Sequence, residues 1–399
     1  MSRRGPFALC LLFLGSCQWT SPTSAPAVAD AGTAPVALAP VPVPAASPVP
    51  EPLPPCRARG SSPLSAALDY LDNGKYPEAL SCAAQASALE PDSAAAHSAR
   101  GEALAALQRT AEAQVAYARA LAIDPNQPDA LLGAAHLYAV QLPSSREYDE
   151  LGALYAESGL SQADMAPELL PRFALVAAMA LNDLGQAAEA LQRAKLVLAR
   201  EPDNHEAAYE KALALFELCR FAEARAAFST LQKDPQRGAH AHYHLGLLLE
   251  REGKWKEAKA HFDEARILSP EDFPAPPTPT EAEFREEVAR AVAALPEDMR
   301  KDLTGVPVRA EELPAEEDLL SGEPPLSPAI LGLFRGPPLT EPCDGSETPC
   351  RSVALYRLNL ARAVRTREEL REQIKVTLLH EVGHLRGEDD QELAARGLE

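Results

Sequence analysis

Five prolines recur at nearly regular intervals, and their spacing restricts the fold more than any other feature of the chain. They are Pro91, Pro125, Pro202, Pro235 and Pro270. The first two are 34 residues apart, and the last three are separated by 33 and 35 residues. Small and apolar residues recur at matching offsets before the prolines: Gly101, Ala113, Tyr117 and Ala120 in one unit, Gly246, Ala258, Phe262 and Ala265 in another. Since small residues let two helices approach and proline ends a helix, each unit is expected to be a helix pair.

The period of about 34 residues resembles the tetratricopeptide repeat. The resemblance implies a mostly α-helical solenoid over residues 60–270, with a concave face that binds a peptide or a protein partner. A structural stack without a specific ligand is the alternative. The interval from Pro125 to Pro202 is 77 residues, so residues 128–167 are interpreted as an irregular repeat with an inserted loop near Pro143.

Three histidines lie close together in the last unit. His240 and His244 are four residues apart, which places them on one helix face, with His242 between them. A metal site is one interpretation. Packed or surface histidines are the other, because no carboxylate or cysteine stands at a matching spacing.

The N-terminus, MSRRGPFALCLLFLGSC, is typical of an export signal. Two arginines precede an apolar stretch, residues 7–14, that is too short to span a membrane. Residues 14–17, LGSC, resemble the lipobox of bacterial lipoproteins, which implies cleavage before Cys17 and acylation of its thiol. An ordinary cleaved signal is the alternative. We therefore expect a signal over 1–17, a Pro/Ala-rich linker over 18–59, and an outer-membrane lipoprotein of the bacterial cell envelope that faces the periplasm.

Charge and cysteine content limit the partners and the compartment. The net charge of −20 argues against nucleic acid and against an anionic membrane surface, so membrane contact is expected only through the lipid anchor. In an oxidising compartment, Cys343 and Cys350 are expected to form a disulfide across a short loop. Cys56 and Cys82 could pair, although nothing requires it, and Cys219 is interpreted as a buried helix residue.

The region after residue 280 has a different pattern and predicts a small α+β domain, residues 281–399. A helix is predicted over 281–299 and a long one over 367–387, ended by Gly387. Strands are predicted over 305–310, 330–336 and 352–358, and an acidic loop over 311–329 that could cover a site.

The long helix carries the sequence His380-Glu381-Val382-Gly383-His384. Two histidines four apart on one helix face can hold Zn²⁺, with the glutamate beside them as general base. The third ligand is open from the residues alone. Asp390 fits a pattern in which glycine follows the second histidine by three residues and the ligand by six. Other candidates are Asp389, Glu388, Glu392 and water. The methionine turn that usually accompanies this pattern is missing, since all four methionines lie upstream.

Residues 281–399 resemble the small bacterial zincin-like family, the minimal metallopeptidases. The resemblance is carried by LGLFRGPPLT at 331–340, LYR at 355–357, and REELR and TLLHEVGHLRGEDD in the long helix and after it. It implies zinc bound by His380, His384 and Asp390, with Glu381 activating water. The chain departs from the family by the insertion CDGSETPC and by Arg386, where an aromatic residue is common.

The strand at 353–358 is expected beside the helix, where it could pair with a peptide. Tyr356, Arg357 and Asn359 are candidates for stabilising an oxyanion.

Two functions are consistent with these patterns. The first is an exported, lipid-anchored zinc metallopeptidase whose repeats recruit substrate or partner proteins. The second is a non-catalytic repeat adaptor with a structural or vestigial zinc site. Three protein ligands with an open fourth position favour the enzyme, because structural zinc sites typically have four protein ligands.

Overall fold

The computed structural model of the protein describes residues 53–58, 60–162, 166–343, 345 and 349–398. The expected signal, the acylated Cys17 and residues 18–52 of the linker lie outside the described residues.

The first part of the described chain is a stack of paired helices, which confirms the predicted mostly helical repeat architecture. Twelve α-helices follow one another in six pairs: α1 Pro63–Asp72, α2 Tyr76–Leu89, α3 Ala94–Ala106, α4 Thr110–Ile123, α5 Pro128–His136, α6 Arg146–Leu160, α7 Leu170–Asp183, α8 Ala187–Leu198, α9 His205–Glu217, α10 Phe221–Leu231, α11 Gly238–Arg251 and α12 Trp255–Leu268. Among the helices of the described residues, none combines the length and the apolarity that crossing a membrane requires.

Glycines at the helix crossings explain the close packing within the pairs. A Cβ atom on Gly101 would lie 2.7 Å from the ring of Tyr117 in α4. A Cβ atom on Gly246 would lie 2.6 Å from the ring of Phe262 in α12. Both distances are shorter than van der Waals contact, so the aromatic rings occupy the space that a side chain at these positions would need.

A second periodic position lies in the turn between the helices of a pair. Its residue has a positive φ in five of the pairs, at Gly74 (66°), Gln108 (60°), Gly185 (73°), Cys219 (54°) and Gly253 (71°). Glycine adopts this conformation without steric cost, whereas a residue with a Cβ atom pays for it. Cys219 therefore lies in a turn after α9 and is buried there, so its interpretation as a helix residue was wrong.

The third pair is irregular. Helix α5 continues into a π-helical segment, Leu137–Gln141, and four residues then lead to α6. Ser144 in this connection donates a hydrogen bond to Asp149 of α6 at 2.8 Å. The extra length lies where the sequence predicts an inserted loop.

The C-terminal part is a small α+β domain, as predicted. Its elements are α13 Glu281–Ala294, α14 Glu297–Asp302, β1 Val308–Glu311, α15 Glu316–Leu319, β2 Gly332–Arg335, β3 Ser352–Tyr356, α16 Arg357–Arg362, α17 Arg367–Arg386 and α18 Asp390–Ala395. The strand order is β1-β3-β2, with β1 parallel and β2 antiparallel to β3. Helices α13 and α17 contribute Phe284, Val288, Ile374 and Leu378 to a core that also contains Val353 and Leu355 of β3.

Two sequence expectations for this domain were wrong in detail. The helix predicted over 281–299 is divided into α13 and α14, because Pro296 cannot donate the backbone hydrogen bond that a continuous helix needs. The strand predicted over 352–358 ends at Tyr356. It is the central strand, so both of its edges are already paired and it cannot pair with a peptide.

The two parts of the chain are packed against each other. Arg362 of α16 forms an ion pair with Glu250 of α11, and its guanidinium carbon lies 5.2 Å from the ring centre of Phe262. Phe273, in the proline-rich segment after α12, is buried with its ring centre 4.9 Å from that of Tyr243. The proline-rich segment is therefore a packed connection that positions the C-terminal domain on the last repeats.

Candidate metal centre

The histidines of the motif lie on α17, whose limits are encoded locally. Thr366 and Glu369 form a capping box, in which each side chain accepts a hydrogen bond from the backbone N–H of the other residue, at 3.1 and 3.2 Å. The helix ends at Gly387, which has φ of 93°. One face of the helix is buried in the domain core. His380 and His384 lie one turn apart and are half-buried.

A backbone carbonyl fixes the tautomer of each imidazole. Nδ1 of His380 lies 2.5 Å from the carbonyl oxygen of Leu398, and Nδ1 of His384 lies 3.0 Å from that of Glu388. Because a carbonyl oxygen only accepts hydrogen bonds, both Nδ1 atoms carry the proton. In the neutral rings, both Nε2 atoms therefore present lone pairs, and these two atoms are 2.9 Å apart.

Asp390 joins the two histidines. Its Oδ1 atom lies 3.3 Å from Nε2 of His384 and 3.6 Å from Nε2 of His380. Within the described part of the chain, these three residues are the one group of three or more histidine, cysteine or acidic residues whose ligand atoms converge closely enough to hold an ion, all within 4.8 Å of one another.

The other acidic candidates for the third ligand have different contacts. Asp389 and Glu392 form the capping box of α18. Glu388 forms an ion pair with Arg396. Helix α18 thus begins at Asp390 and directs this carboxylate towards the histidines. The neighbouring acidic side chains instead cap the helix or form an ion pair with it.

The donor set fits a divalent cation. Two imidazole nitrogens and one carboxylate oxygen converge as acceptors, and a divalent cation bound between them would make this arrangement favourable. With Zn–N bonds of about 2.0–2.1 Å, tetrahedral zinc ligands lie about 3.4 Å apart, close to the observed separations. Two imidazoles and one carboxylate, with room for a fourth ligand, are typical of catalytic rather than structural zinc sites.

Glu381 lies beside this cluster and is only 5% exposed. Burial raises the pKa of its carboxyl to about 8, nearby Asp390 adds to this effect, and a hydrogen bond from the backbone N–H of Phe334 opposes it. Strand β2 passes close to this side chain, since a Cβ atom on Gly332 would lie 2.8 Å from Oε1 of Glu381. Gly332 is therefore required for the strand to lie over the glutamate.

Helix α18 and the residues after it are the part of the site that sequence reasoning missed. Leu393 is buried against α17, and a Cβ atom on Gly383 would overlap its side chain. The carbonyl of Leu398 then reaches His380. A signal was present, because Asp389 followed three residues later by Glu392 is a capping-box pattern. The roles of Gly383 and Leu398 depend on tertiary contacts and had no local signal.

The three candidates for an oxyanion donor have structural contacts. Tyr356 is buried, with its hydroxyl 3.4 Å from Nη2 of Arg335. Arg357 donates to the carbonyl of Pro279 at 3.0 Å and pairs with a glutamate. Asn359 donates to the carbonyl of Ile330 at 2.7 Å. These contacts hold the loops before α13 and before β2 in place.

Arg386, at the position where the similar family often has an aromatic residue, is also structural. It forms ion pairs with Asp298 and Asp302 of α14 at 2.8 and 2.6 Å. These ion pairs link α17 to α14.

The histidines of α11 have a different environment. His244 is 2% exposed, stacks on Phe228 at 4.6 Å, and its Nδ1 contacts the carbonyl of His240 at 2.9 Å. His240 packs edge-on against Tyr209 and Phe273. These histidines are packing residues, so the metal interpretation of this cluster is not supported.

Four cysteines are paired in the described residues. Cys343 and Cys350 form a disulfide with 6.0 Å between their Cα atoms. Cys56 and Cys82, which the sequence left open, form a second disulfide with 4.7 Å between Cα atoms. The second bond attaches the end of the linker to α2.

The comparisons with known protein families agree with both parts of the structure. The family model of the zincin-like metallopeptidases matches residues 303–398. The tetratricopeptide repeat model matches residues 64–128, 175–237 and 218–273. The chain therefore combines tetratricopeptide repeats with a C-terminal domain that resembles the zincin-like metallopeptidases.

Solved structures similar to this chain include a tetratricopeptide-repeat protein and two proteins named for pili. PilW, a type IV pilus biogenesis factor, is 18% identical, with 53% of this chain and 94% of PilW covered and a TM-score of 0.44. Pseudomonas aeruginosa PilF is 19% identical, with 56% and 96% covered and a TM-score of 0.42. YrrB, a TPR protein with an unusual peptide-binding site, is 19% identical, with 47% and 93% covered and a TM-score of 0.39. A search of curated proteins found no match.

Proposed function

We propose that this protein is a zinc-dependent metallopeptidase that hydrolyses peptide bonds and recruits its substrate or a partner protein through its repeats. One observation carries the proposal. The Nε2 atoms of His380 and His384 and the carboxylate of Asp390 converge next to the buried carboxyl of Glu381. Metal-assisted hydrolysis needs a metal-binding site beside a group that can accept and donate a proton, and this arrangement provides both.

His380, His384 and Asp390 would hold the zinc. When bound, zinc supplies a Lewis acid and lowers the pKa of a water molecule in its open position. Glu381 accepts the proton of the attacking water and delivers it to the leaving amine as the peptide C–N bond breaks. The positive charge of zinc in the site would favour the ionised carboxylate of Glu381, which is the form that accepts a proton. The N–H of Phe334 holds the carboxylate in position.

Strand β2 is the element to which an extended substrate would pair. It is an edge strand of the sheet, and its residues Gly332 and Phe334 lie against Glu381. A peptide aligned along β2 would bring its backbone past the acid–base group, because β-strand addition uses a free sheet edge. This replaces the expectation that the central strand β3 binds the peptide.

Metal content and activity of single variants test the proposal. The full chain is compared with His384→Ala, Asp390→Ala and Glu381→Gln by ICP-MS and by cleavage of a quenched-fluorescent peptide library. We expect one zinc per chain in the parent and in Glu381→Gln, and loss of zinc in the other two. Activity in Glu381→Gln should fall by about 10²–10⁴-fold. Full activity in zinc-loaded Glu381→Gln would refute this mechanism. A metal-free, inactive parent would favour the adaptor function.

The proposal includes an exported, lipid-anchored protein in the bacterial cell envelope that faces the periplasm. The two disulfides support an oxidising compartment, since disulfides are rare where thiols are kept reduced. Labelling of growing cells with an alkyne fatty acid, in the parent and in Cys17→Ser, tests the anchor. Label should be incorporated in the parent and lost in the variant, and equal labelling would exclude acylation at Cys17.

A further inference from the structure

The concave side of the repeats and the metal centre line the same cleft. It has a volume of about 3000 Å³. His136 and Asp149 line it at the irregular third pair, Glu210 and Arg237 in the middle, and Glu381 at the metal centre. Sites for small molecules usually have volumes of about 300–1,000 Å³. The cleft is therefore of a size for a polypeptide.

The cleft crosses the junction of the two parts of the chain without interruption. The proline-rich segment 272–279 and the loop 323–332 both contribute to its wall. Its shape is fixed there by the Arg362–Glu250 ion pair and by buried Phe273. A bound polypeptide that lies along the repeats would therefore extend to the metal centre.

The charge of the cleft favours a positively charged occupant. Thirteen acidic and seven basic side chains line it. Arg237 and Arg357 form ion pairs with Glu206 and Glu312, which do not line the cleft. Arg146, Lys259, Arg266 and Arg362 pair with three of the lining carboxylates, Glu150, Asp263 and Glu250, so an excess of acidic side chains remains. In contrast, Glu189 is exposed at the cleft and has no lysine or arginine partner among the described residues. The remaining negative potential attracts cations and repels acidic chains.

We propose that the repeats and the metal centre bind one and the same polypeptide, an extended segment rich in lysine or arginine that runs along the concave face and reaches Glu381. The repeats then act as the extended part of the substrate site. This inference rests on the proposed peptidase function for its cleavage step, and on the cleft alone for its binding step.

Charge reversal far from the metal centre tests the inference. Glu150 in α6 and Glu189 in α8 are exposed residues that line the cleft at its repeat end. The double variant Glu150→Lys/Glu189→Lys is compared with Glu264→Lys/Glu286→Lys, which makes the same charge change at exposed positions outside the cleft. The milder pair Glu150→Gln/Glu189→Gln is added in case charge reversal disturbs folding, which circular dichroism would show.

Binding is measured by fluorescence anisotropy in the zinc-loaded Glu381→Gln background, so that no probe is cleaved. The probes are a lysine-rich peptide of about 24 residues, which extended spans about 80 Å, and a glutamate-rich peptide of the same length. We expect the lysine-rich probe to bind and the glutamate-rich probe not to bind. Kd for the lysine-rich probe should rise about tenfold in the cleft double variant and less than about twofold in the matched control.

Cleavage separates this inference from the proposed peptidase function. Cleavage is measured in proteins that retain the native Glu381. There, kcat/KM for a long lysine-rich quenched-fluorescent substrate should fall about tenfold in the cleft double variant. For a short substrate that reaches only the metal centre, kcat/KM should not change. Equal effects on long and short substrates, or no preference for the lysine-rich probe, would overturn the inference while leaving a peptidase. Charge-sensitive binding without any cleavage would support the shared cleft and refute the peptidase.

Discussion

Two helices of this protein carry a pair of histidines at the same spacing, and the structure gives the two pairs different surroundings. On α11, His240 and His244 are buried among aromatic rings. On α17, His380 and His384 are half-buried, and both point their Nε2 atoms at Asp390.

The difference lies in what surrounds each pair. Burial lowers the pKa of His244 to about 4, so an apolar environment of aromatic rings holds this imidazole neutral. His380 and His384 each have a carbonyl behind Nδ1 and share a carboxylate in front. Histidine spacing permits a metal site, and the second ring nitrogen and the facing acid decide whether there is one.

The largest expected difference between the two pairs is in metal affinity. His384→Ala should weaken zinc binding by more than about 100-fold, because losing a ligand costs more than losing one of its supporting hydrogen bonds. His244→Ala should leave the affinity unchanged. Competition with a chromogenic chelator measures both. Equal losses in the two variants would mean that the site on α17 is not the zinc site.

Glycine substitutions should separate the two regions in a second way. In Gly383→Ala, the new methyl group overlaps buried Leu393 and displaces α18, which carries Asp390. We expect a cost of about 1–3 kcal/mol in the C-terminal domain together with weaker zinc binding. Gly246→Ala should destabilise the repeats by a similar amount through the ring of Phe262 and leave zinc affinity intact.

Thermal unfolding followed by circular dichroism, with and without zinc, distinguishes the two glycine variants. A Gly383→Ala protein that binds zinc normally would show that α18 is not needed to present Asp390.

The pH dependence of stability should reveal the buried histidine of the repeats. The pKa of His244 is about 4 in the folded chain and about 6.5 in the unfolded chain. Because the unfolded state takes up the proton first, the stability contribution of the neutral ring is complete above about pH 6.5 and decreases as the pH falls towards 4. Lowering the pH from 7.5 to 5 should cost about 2 kcal/mol more in the parent than in His244→Phe.

Urea unfolding of the parent and of His244→Phe at the two pH values measures this difference. Parallel pH dependence in the two proteins would show that His244 does not titrate below its normal range.

The smallest effect is expected at the positive-φ turn position of the repeats. Gln108 adopts φ of 60° where Gly185 adopts 73° in another pair. Gln108→Gly should therefore stabilise the repeats by up to about 1 kcal/mol, whereas Gly185→Ala should destabilise them by about the same amount. Chemical denaturation of both variants tests this, and a destabilised Gln108→Gly would mean that the side chain has a stabilising contact that outweighs its backbone strain.

Local patterns in the sequence were sufficient for much of this protein. The proline period and the glycines at the crossings predicted the repeats, because helix pairs that stack on their neighbours depend on residues close in the chain. The limits of α17 could be predicted from Thr366 and Gly387, and the motif placed two histidines and a glutamate on one helix. The choice among Asp390, Asp389, Glu388 and Glu392 could not be made from local pattern alone.

Only the tertiary structure decided the remaining questions, because they depend on residues that are distant in the chain. It placed β3 in the centre of the sheet and β2 over Glu381, it placed the carbonyl of Leu398 behind His380, and it buried His244 among rings from other helices. It also joined the concave face of the repeats to the metal centre in one cleft. Sequence determined which chemical groups are available, and long-range packing determined which of them meet.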